Sequence, residues 1–227
     1  MVKGVVFDLF HTLTGLESER SELPWTCDVL GIDRRLWDDL LVDGSRWRLA
    51  GEETDGFVIL SKLARQVDPS IPDERIAKAV ELRTQRFRDT LMRVPLENVA
   101  TLRTLRAAGF RLGLISNADA IEVAAWNDSP LAELFDVSVF SCTAGCVKPE
   151  PEIYDRCLSA LGLAGTECLF VGDGGSNELL GAREAGMTTV FVSGVVAELW
   201  PYRVPERLPL CDYHVERVPQ VLELVGL

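Results

Sequence analysis

Six short apolar runs, each closed by polar or turn-forming residues, constrain the fold of this 227-residue chain more than any other feature. They cover residues 2–7, 110–115, 137–141, 168–171, 188–192 and 213–215. Continuous apolar runs, rather than alternating ones, suit strands buried on both faces of a parallel sheet. The stretches between them carry helical spacing. Before the second run, Leu96, Val99, Leu102 and Leu105 fall on neighbouring positions, and the pattern stops at Gly109, a natural left-handed cap. Strands alternating with helices predict a doubly wound α/β fold with a parallel, Rossmann-like sheet.

Residues 16–92 break the alternation. Only helical patterns occur there: Leu36, Leu40 and Leu41; then Phe57, Leu60, Leu63 and Val67; then Ile76, Ala79, Val80, Phe87 and Leu91. Pro69 and Pro72 separate the second pattern from the third. The expectation is an α/β core formed by residues 1–15 and 93–227, with residues 16–92 inserted as a small helical cap. Trp25, Trp37 and Trp47 lie in the insertion, where packing is the ordinary role of tryptophan.

The formal net charge of −12 argues against nucleic acid or an anionic membrane as a standing partner. It also requires any anion site to be locally positive. The first apolar run is too short for a leader and is interrupted by Asp8, and no run approaches the length of a spanning helix. The six cysteines are scattered through a chain too large to need stapling, so free thiols and a cytoplasmic location are expected. Oligomeric state is not readable from the sequence.

In open α/β sheets, ligands bind beyond the carboxyl ends of the strands. Those ends carry conspicuous polar residues here. The first run ends at Asp8, the second at Ser116-Asn117, and the third is followed by "GCVKPEPEIY" with Lys148 between Val147 and Pro149. The fourth ends in "VGDGGSNE", with Asp173 at its tip and Glu178 five residues later. Carboxylates, a hydroxyl and an ammonium are therefore expected to share one crevice. "GDGGSN" fits neither the dinucleotide fingerprint nor the P-loop. The segment "WPYRVPERLP", residues 200–209, reads as a proline-punctuated loop over the sheet edge with no evident chemistry, and His214 as structural.

The order Asp8-x-Phe10-His11-Thr12, Ser116-Asn117, Lys148-Pro149 and Gly172-Asp173-x(4)-Glu178, followed by "GAREAGM", resembles the haloacid dehalogenase superfamily of hydrolases. The resemblance implies that residues 16–92 are that superfamily's small α-helical cap. It further implies that Asp8 is a nucleophile forming a covalent intermediate. Ser116 and Asn117 would hydrogen-bond the transferring group, with Thr12 beside them, and Lys148 would neutralise charge. Mg²⁺ would be held by Asp8, Asp173 and the main-chain carbonyl of Phe10, with Glu178 supporting from a position where the family more often has Asp. A hard ion with oxygen ligands suits that set.

The departure at Phe10 separates three readings. Phosphatases of this superfamily place a second Asp there, as acid and base for the leaving alcohol, a role worth ~10²–10⁴-fold. In the first reading the chain hydrolyses a small phosphate ester with Mg²⁺, and another group supplies the proton. His11 is the candidate, in a position where the family usually has Gly. In the second it is a 2-haloacid dehalogenase, a branch similar in having an aromatic residue at this position, because halide leaves unprotonated. Tyr154 would then contact the substrate, and Arg34, Arg35, Arg46 or Arg48 would bind its carboxylate. Against this, a bare Asp173 would repel a carboxylate substrate. The third is a binding protein that keeps the crevice without fast turnover.

Overall fold

The computed structural model describes residues 2–15, 21–42 and 44–227. Six strands form one sheet: β1 (Gly4–Phe7), β2 (Arg111–Ser116), β3 (Val137–Phe140), β4 (Cys168–Gly172), β5 (Thr188–Val192) and β6 (Tyr213–Val215). Their order is β3-β2-β1-β4-β5-β6 and every pairing is parallel. The strands form where the apolar runs predict, with ends displaced by one or two residues. Along β1 the side chains alternate between faces. Val5 and Phe7 join one buried cluster with Leu102, Leu112 and Leu114, while Val6 joins another with Ile115, Cys157 and Phe170. Both faces are covered, which is why the strands read as unbroken apolar runs.

Register places the site. Phe7 pairs with Leu114 on one side and Val171 on the other. Asp8 therefore follows the sheet's central strand at the level where Ser116 and Asp173 leave their own strands. Its N–H still donates to the Val171 carbonyl at 2.9 Å, which ties it to the ladder. The chain also changes direction here, because β1 has β2 on one side and β4 on the other. Crevices open at such switch points.

Between β1 and β2 the described residues form helices Thr26–Leu30, Arg34–Val42, Arg46–Leu49, Gly56–Val67 and Asp73–Met92. Asp55 caps the fourth by accepting from the N–H groups of Phe57 and Val58. The helices share their own apolar cluster, built on Leu30, Trp37, Ile59, Leu60, Leu63 and Ile76 and joined by Ile121 from beyond β2. Residues 16–20, the expected start of the insertion, lie outside the described residues. Leu96 corrects the pattern drawn for the next helix. It is 85% exposed, while Val99, Leu102 and Leu105 are buried. As the first residue of Leu96–Ala107 it sits on the helix end, before the buried stripe begins. No described helix is long and apolar enough to cross a membrane.

The helical layer meets the sheet layer through arginines. Arg46 pairs with Glu150 at 2.8 Å and Arg88 with Asp128 at 2.9 Å, both exposed and worth little. Arg48 pairs with Asp119 at 2.7 Å and Arg83 with Glu122 at 2.6 Å, both buried. Gly51 makes the tightest approach across this seam. A Cβ there would lie 1.9 Å from the Cys142 carbonyl oxygen, and its φ of 73° already favours glycine. Gly51→Ala is expected to destabilise the protein by about 2 kcal/mol or more, measured by urea unfolding.

Candidate active site

Lys148 is the centre of the site. The chain leaves β3 through the short helix Ser141–Ala144 and returns Lys148 beneath the strand ends, followed by a cis peptide bond to Pro149. Its ammonium donates to Asp8 Oδ1 at 2.6 Å, to Glu178 Oε2 at 2.5 Å and to the Ile115 carbonyl at 3.2 Å. All three donor positions of the ammonium are thereby used. Asn117 fixes the backbone around it. Its Nδ2 donates to the Lys148 carbonyl at 3.0 Å, and its Oδ1 accepts from the Lys148 N–H at 2.7 Å.

The carboxylates are held from several sides. Thr12 Oγ1 donates to Asp8 Oδ2 at 2.9 Å. Glu178 Oε1 accepts from the Gly174 N–H at 2.8 Å, and Asp173 Oδ1 from the Gly175 N–H at 2.7 Å. One oxygen from each of Asp8, Asp173 and Glu178 lies within 4.8 Å of the others. Burial pushes the Asp8 carboxyl above the usual range and Asp173 adds to this, while Lys148 and Thr12 pull it down. Burial also raises Glu178 well above that range, reinforced by Asp8 and opposed by Lys148. Burial alone would lower Lys148, but Asp8 and Glu178 hold it above an ordinary lysine.

A cavity of about 350 Å³ opens above this cluster. Asp8, Phe10, His11, Ser116, Asn117, Lys148, Asp173 and Glu178 line it from the sheet layer, and Val42 and Phe87 from the helical layer. The Phe10 ring meets Phe87 edge-on at 5.3 Å, so it packs against the roof of the cavity. Ser116 Oγ is buried without a hydrogen-bond partner. An orphaned hydroxyl in a cavity wall is a donor placed for a bound acceptor. His11 adopts φ 63°, the left-handed region that suits the glycine expected there, and its ring meets Trp200 edge-on at 5.3 Å.

Two residues expected at the substrate have their hydroxyls engaged within the protein. Tyr154 is fully buried and donates its hydroxyl to the Glu178 carbonyl at 2.9 Å, so it supports the carboxylates from behind. Thr12 spends its hydroxyl on Asp8. Of the arginines expected to reach a substrate, none lines the cavity: Arg34 lies over Trp25 at 4.1 Å, Arg35 is exposed, Arg46 pairs with Glu150, and Arg48 with Asp119.

Sequence reading did not assign Val42, Phe87, Glu122, Gly175, Ser176, Trp200 or Arg207 to the site, and all of them line the cavity. Residues 200–209 are not an open loop but successive short turns, Pro201–Arg203, Val204–Arg207 and Leu208–Leu210, folded across the site. Arg207 Nη1 donates to the Asp173 carbonyl at 2.6 Å and to Asp173 Oδ2 at 3.2 Å. The only signal was a run of prolines with two arginines among them, Arg203 and Arg207, which names no contact.

Beside Ser116-Asn117, Asp119 and Glu122 form a capping box. Asp119 Oδ1 accepts from the Ile121 and Glu122 N–H groups, and Glu122 Oε2 from that of Asp119. Arg48 and Arg83 grip this box from the helical layer. Burial, with Asp119 close by, pushes the Glu122 carboxyl up to about 7, against the pull of Arg83 and Arg48. A carboxyl raised above its unfolded value contributes stability at low pH that is lost as pH rises through 7. Unfolding free energy measured in urea should therefore fall between about pH 4.5 and pH 7, and Glu122→Gln should flatten that slope.

Comparison with known proteins agrees with this arrangement. A family model described as haloacid dehalogenase-like hydrolase matches residues 2–186. The chain is 31% identical to pyrophosphatase PpaX of Halalkalibacterium halodurans, over 72% of this chain and 74% of that one. It is 32% identical to glyceraldehyde 3-phosphate phosphatase of Pyrococcus furiosus, over 55% of this chain. It spans about half, 51%, of that phosphatase's length. In fold it is similar to a crystallised L-2-haloacid dehalogenase, with a TM-score of 0.71 and 24% identity, covering 100% of this chain and 99% of that one. With a six-stranded parallel sheet, four motif segments meeting at its rim and a family match across most of its length, the chain belongs to the haloacid dehalogenase-like hydrolases.

Proposed function

We propose that this hydrolase releases phosphate from a small phosphorylated molecule, with Asp8 as nucleophile and Mg²⁺ as cofactor. The observation that carries this reading is the buried trio Asp8, Asp173 and Glu178, one oxygen of each within 4.8 Å of the others, with Lys148 pairing Asp8 and Glu178. The donor set is all oxygen, which suits a hard divalent ion. Asp8, Asp173 and the Phe10 carbonyl would hold the metal, with Glu178 behind them. When bound, it would neutralise charge on the oxygens of the transferring group. The relatives named as phosphatase and pyrophosphatase act on phosphorylated substrates, which supports the same reading.

In this mechanism an Asp8 oxygen attacks phosphorus as the bond to the leaving oxygen breaks, giving an aspartyl phosphate. Water then attacks phosphorus and gives up its proton to the His11 imidazole left by the first step, breaking the bond between phosphorus and the Asp8 oxygen, restoring the carboxylate and releasing inorganic phosphate. Lys148 pulls the Asp8 carboxyl toward its ionised form against the effect of burial. Ser116 Oγ donates to a phosphoryl oxygen and so gains its missing partner. The leaving oxygen takes its proton from His11 on the cavity wall, since Phe10 has none to give. The helical insertion acts as a cap, with buried Phe87 over the cavity and Val42 at its mouth, and its closure would keep bulk water from the intermediate. The cavity volume suits a small molecule.

Asp8→Asn should lower Mg²⁺-dependent phosphate release from a panel of small phosphomonoesters by about 10³-fold or more. His11→Asn keeps a residue that tolerates the left-handed backbone but removes the imidazole. Its turnover should fall by ~10²-fold with little change in KM, and full retention would remove His11 from the mechanism.

Two observations favour dehalogenation as a second reading. Phe10 closes an aromatic wall over Asp8, and Arg207 neutralises the Asp173 carboxylate that would repel a carboxylate substrate. Asp8 would then displace halide from carbon, and water would hydrolyse the resulting ester. Chloride release from 2-chloropropionate without added metal would establish this reading in place of the first.

A further inference from the structure

Arg207 is held against Asp173 from a segment that none of the four motifs includes. Its guanidinium bridges the main-chain oxygen and Oδ2 of Asp173, and its side chain is 11% exposed. The loop is shaped to admit it. Gly174 adopts φ 81°, and a Cβ there would lie 2.9 Å from Arg207 Cδ, so the arginine stem occupies the space that any other residue at 174 would fill. Trp200, at the other end of the segment, lies against His11. The contact is therefore built by two separate pieces of chain.

This arrangement sets up a competition. With Arg207 in place, the five charged groups Asp8, Asp173, Glu178, Lys148 and Arg207 carry one net negative charge, a poor match for a divalent ion. With Arg207 withdrawn, they carry two. Asp173 has one oxygen on the Gly175 N–H and the other on Arg207, so a cation approaching Oδ2 meets a guanidinium already there. Two like charges sharing one carboxylate oxygen in a nearly dry site repel strongly.

We infer that Arg207 is a tethered cation that competes with the divalent metal for Asp173, so that metal binding displaces the guanidinium and Arg207 sets the metal affinity of this enzyme. The inference rests on the reading of Asp173 as a metal ligand. It makes Arg207 a positioning residue, acting through the carboxylate it releases.

The test is isothermal titration of the full-length protein with MgCl₂, without substrate, for the native chain and for Arg207→Gln, Arg207→Lys and Arg203→Gln. Arg207→Gln should bind Mg²⁺ roughly tenfold or more tightly than the native protein. Arg207→Lys, which keeps the charge but on a shorter stem ending in a compact ammonium, should fall between them and serves if the glutamine variant folds poorly. Arg203 is exposed on the same segment, so Arg203→Gln makes the same change in net charge without the contact and should leave affinity nearly unchanged. Equal or weaker binding by both Arg207 variants overturns the competition while leaving the metal reading intact. A tightening in Arg203→Gln as large as in Arg207→Gln would reduce the effect to net charge and overturn it too. Absence of Mg²⁺ binding in every protein would instead sink the metal reading, and the inference with it.

Discussion

One buried ammonium holds this site together. Lys148 lies between Asp8 and Glu178 with its three protons directed at two carboxylates and a carbonyl. Each of these ions costs several kcal/mol to bury alone. The arrangement survives because every oxygen of the two carboxylates has a donor: Lys148 and Thr12 for Asp8, Lys148 and the Gly174 N–H for Glu178. Tyr154 and Asn117 serve the same end from behind, by holding the backbone that presents Glu178 and Lys148. The charge that makes burial of Asp8 tolerable is also the charge that favours its ionised form.

Around that centre the site is assembled from two layers. The sheet supplies the floor, because parallel register brings the ends of β1, β2 and β4 to one level. The helical layer supplies the roof through Phe87, with Val42 at the mouth. Buried Arg48 and Arg83 tie the two together by gripping the Asp119–Glu122 capping box, a few residues beyond Ser116. A shift of the helical layer therefore reaches the Ser116-Asn117 loop directly, through charged groups that are costly to separate.

Phe10 and Arg207 give this member its individual character. Phe10 places a ring where a carboxylate was expected from the resemblance, and that ring packs on Phe87. Arg207 changes the charge around Asp173 without altering any motif residue.

The sheet was legible because its strands are buried on both faces, and a doubly buried strand must be apolar along its whole length. The residues at the rim were legible because charges at the ends of such strands have few places to go. Sequence alone thus determined the parallel α/β sheet and the meeting of Asp8, Ser116, Lys148 and Asp173. It could not show that Tyr154 lies behind Glu178, since two residues at suitable spacing on a helix can face toward or away from a ligand. Nor could it show which arginine reaches the site. Arg207 arrives from a proline-rich segment that carries no periodicity, and only packing against Gly174 aims it at Asp173. Local patterns record burial, which acts on each residue separately. Contacts between distant segments depend on where the whole chain goes, and that was decided by the tertiary structure.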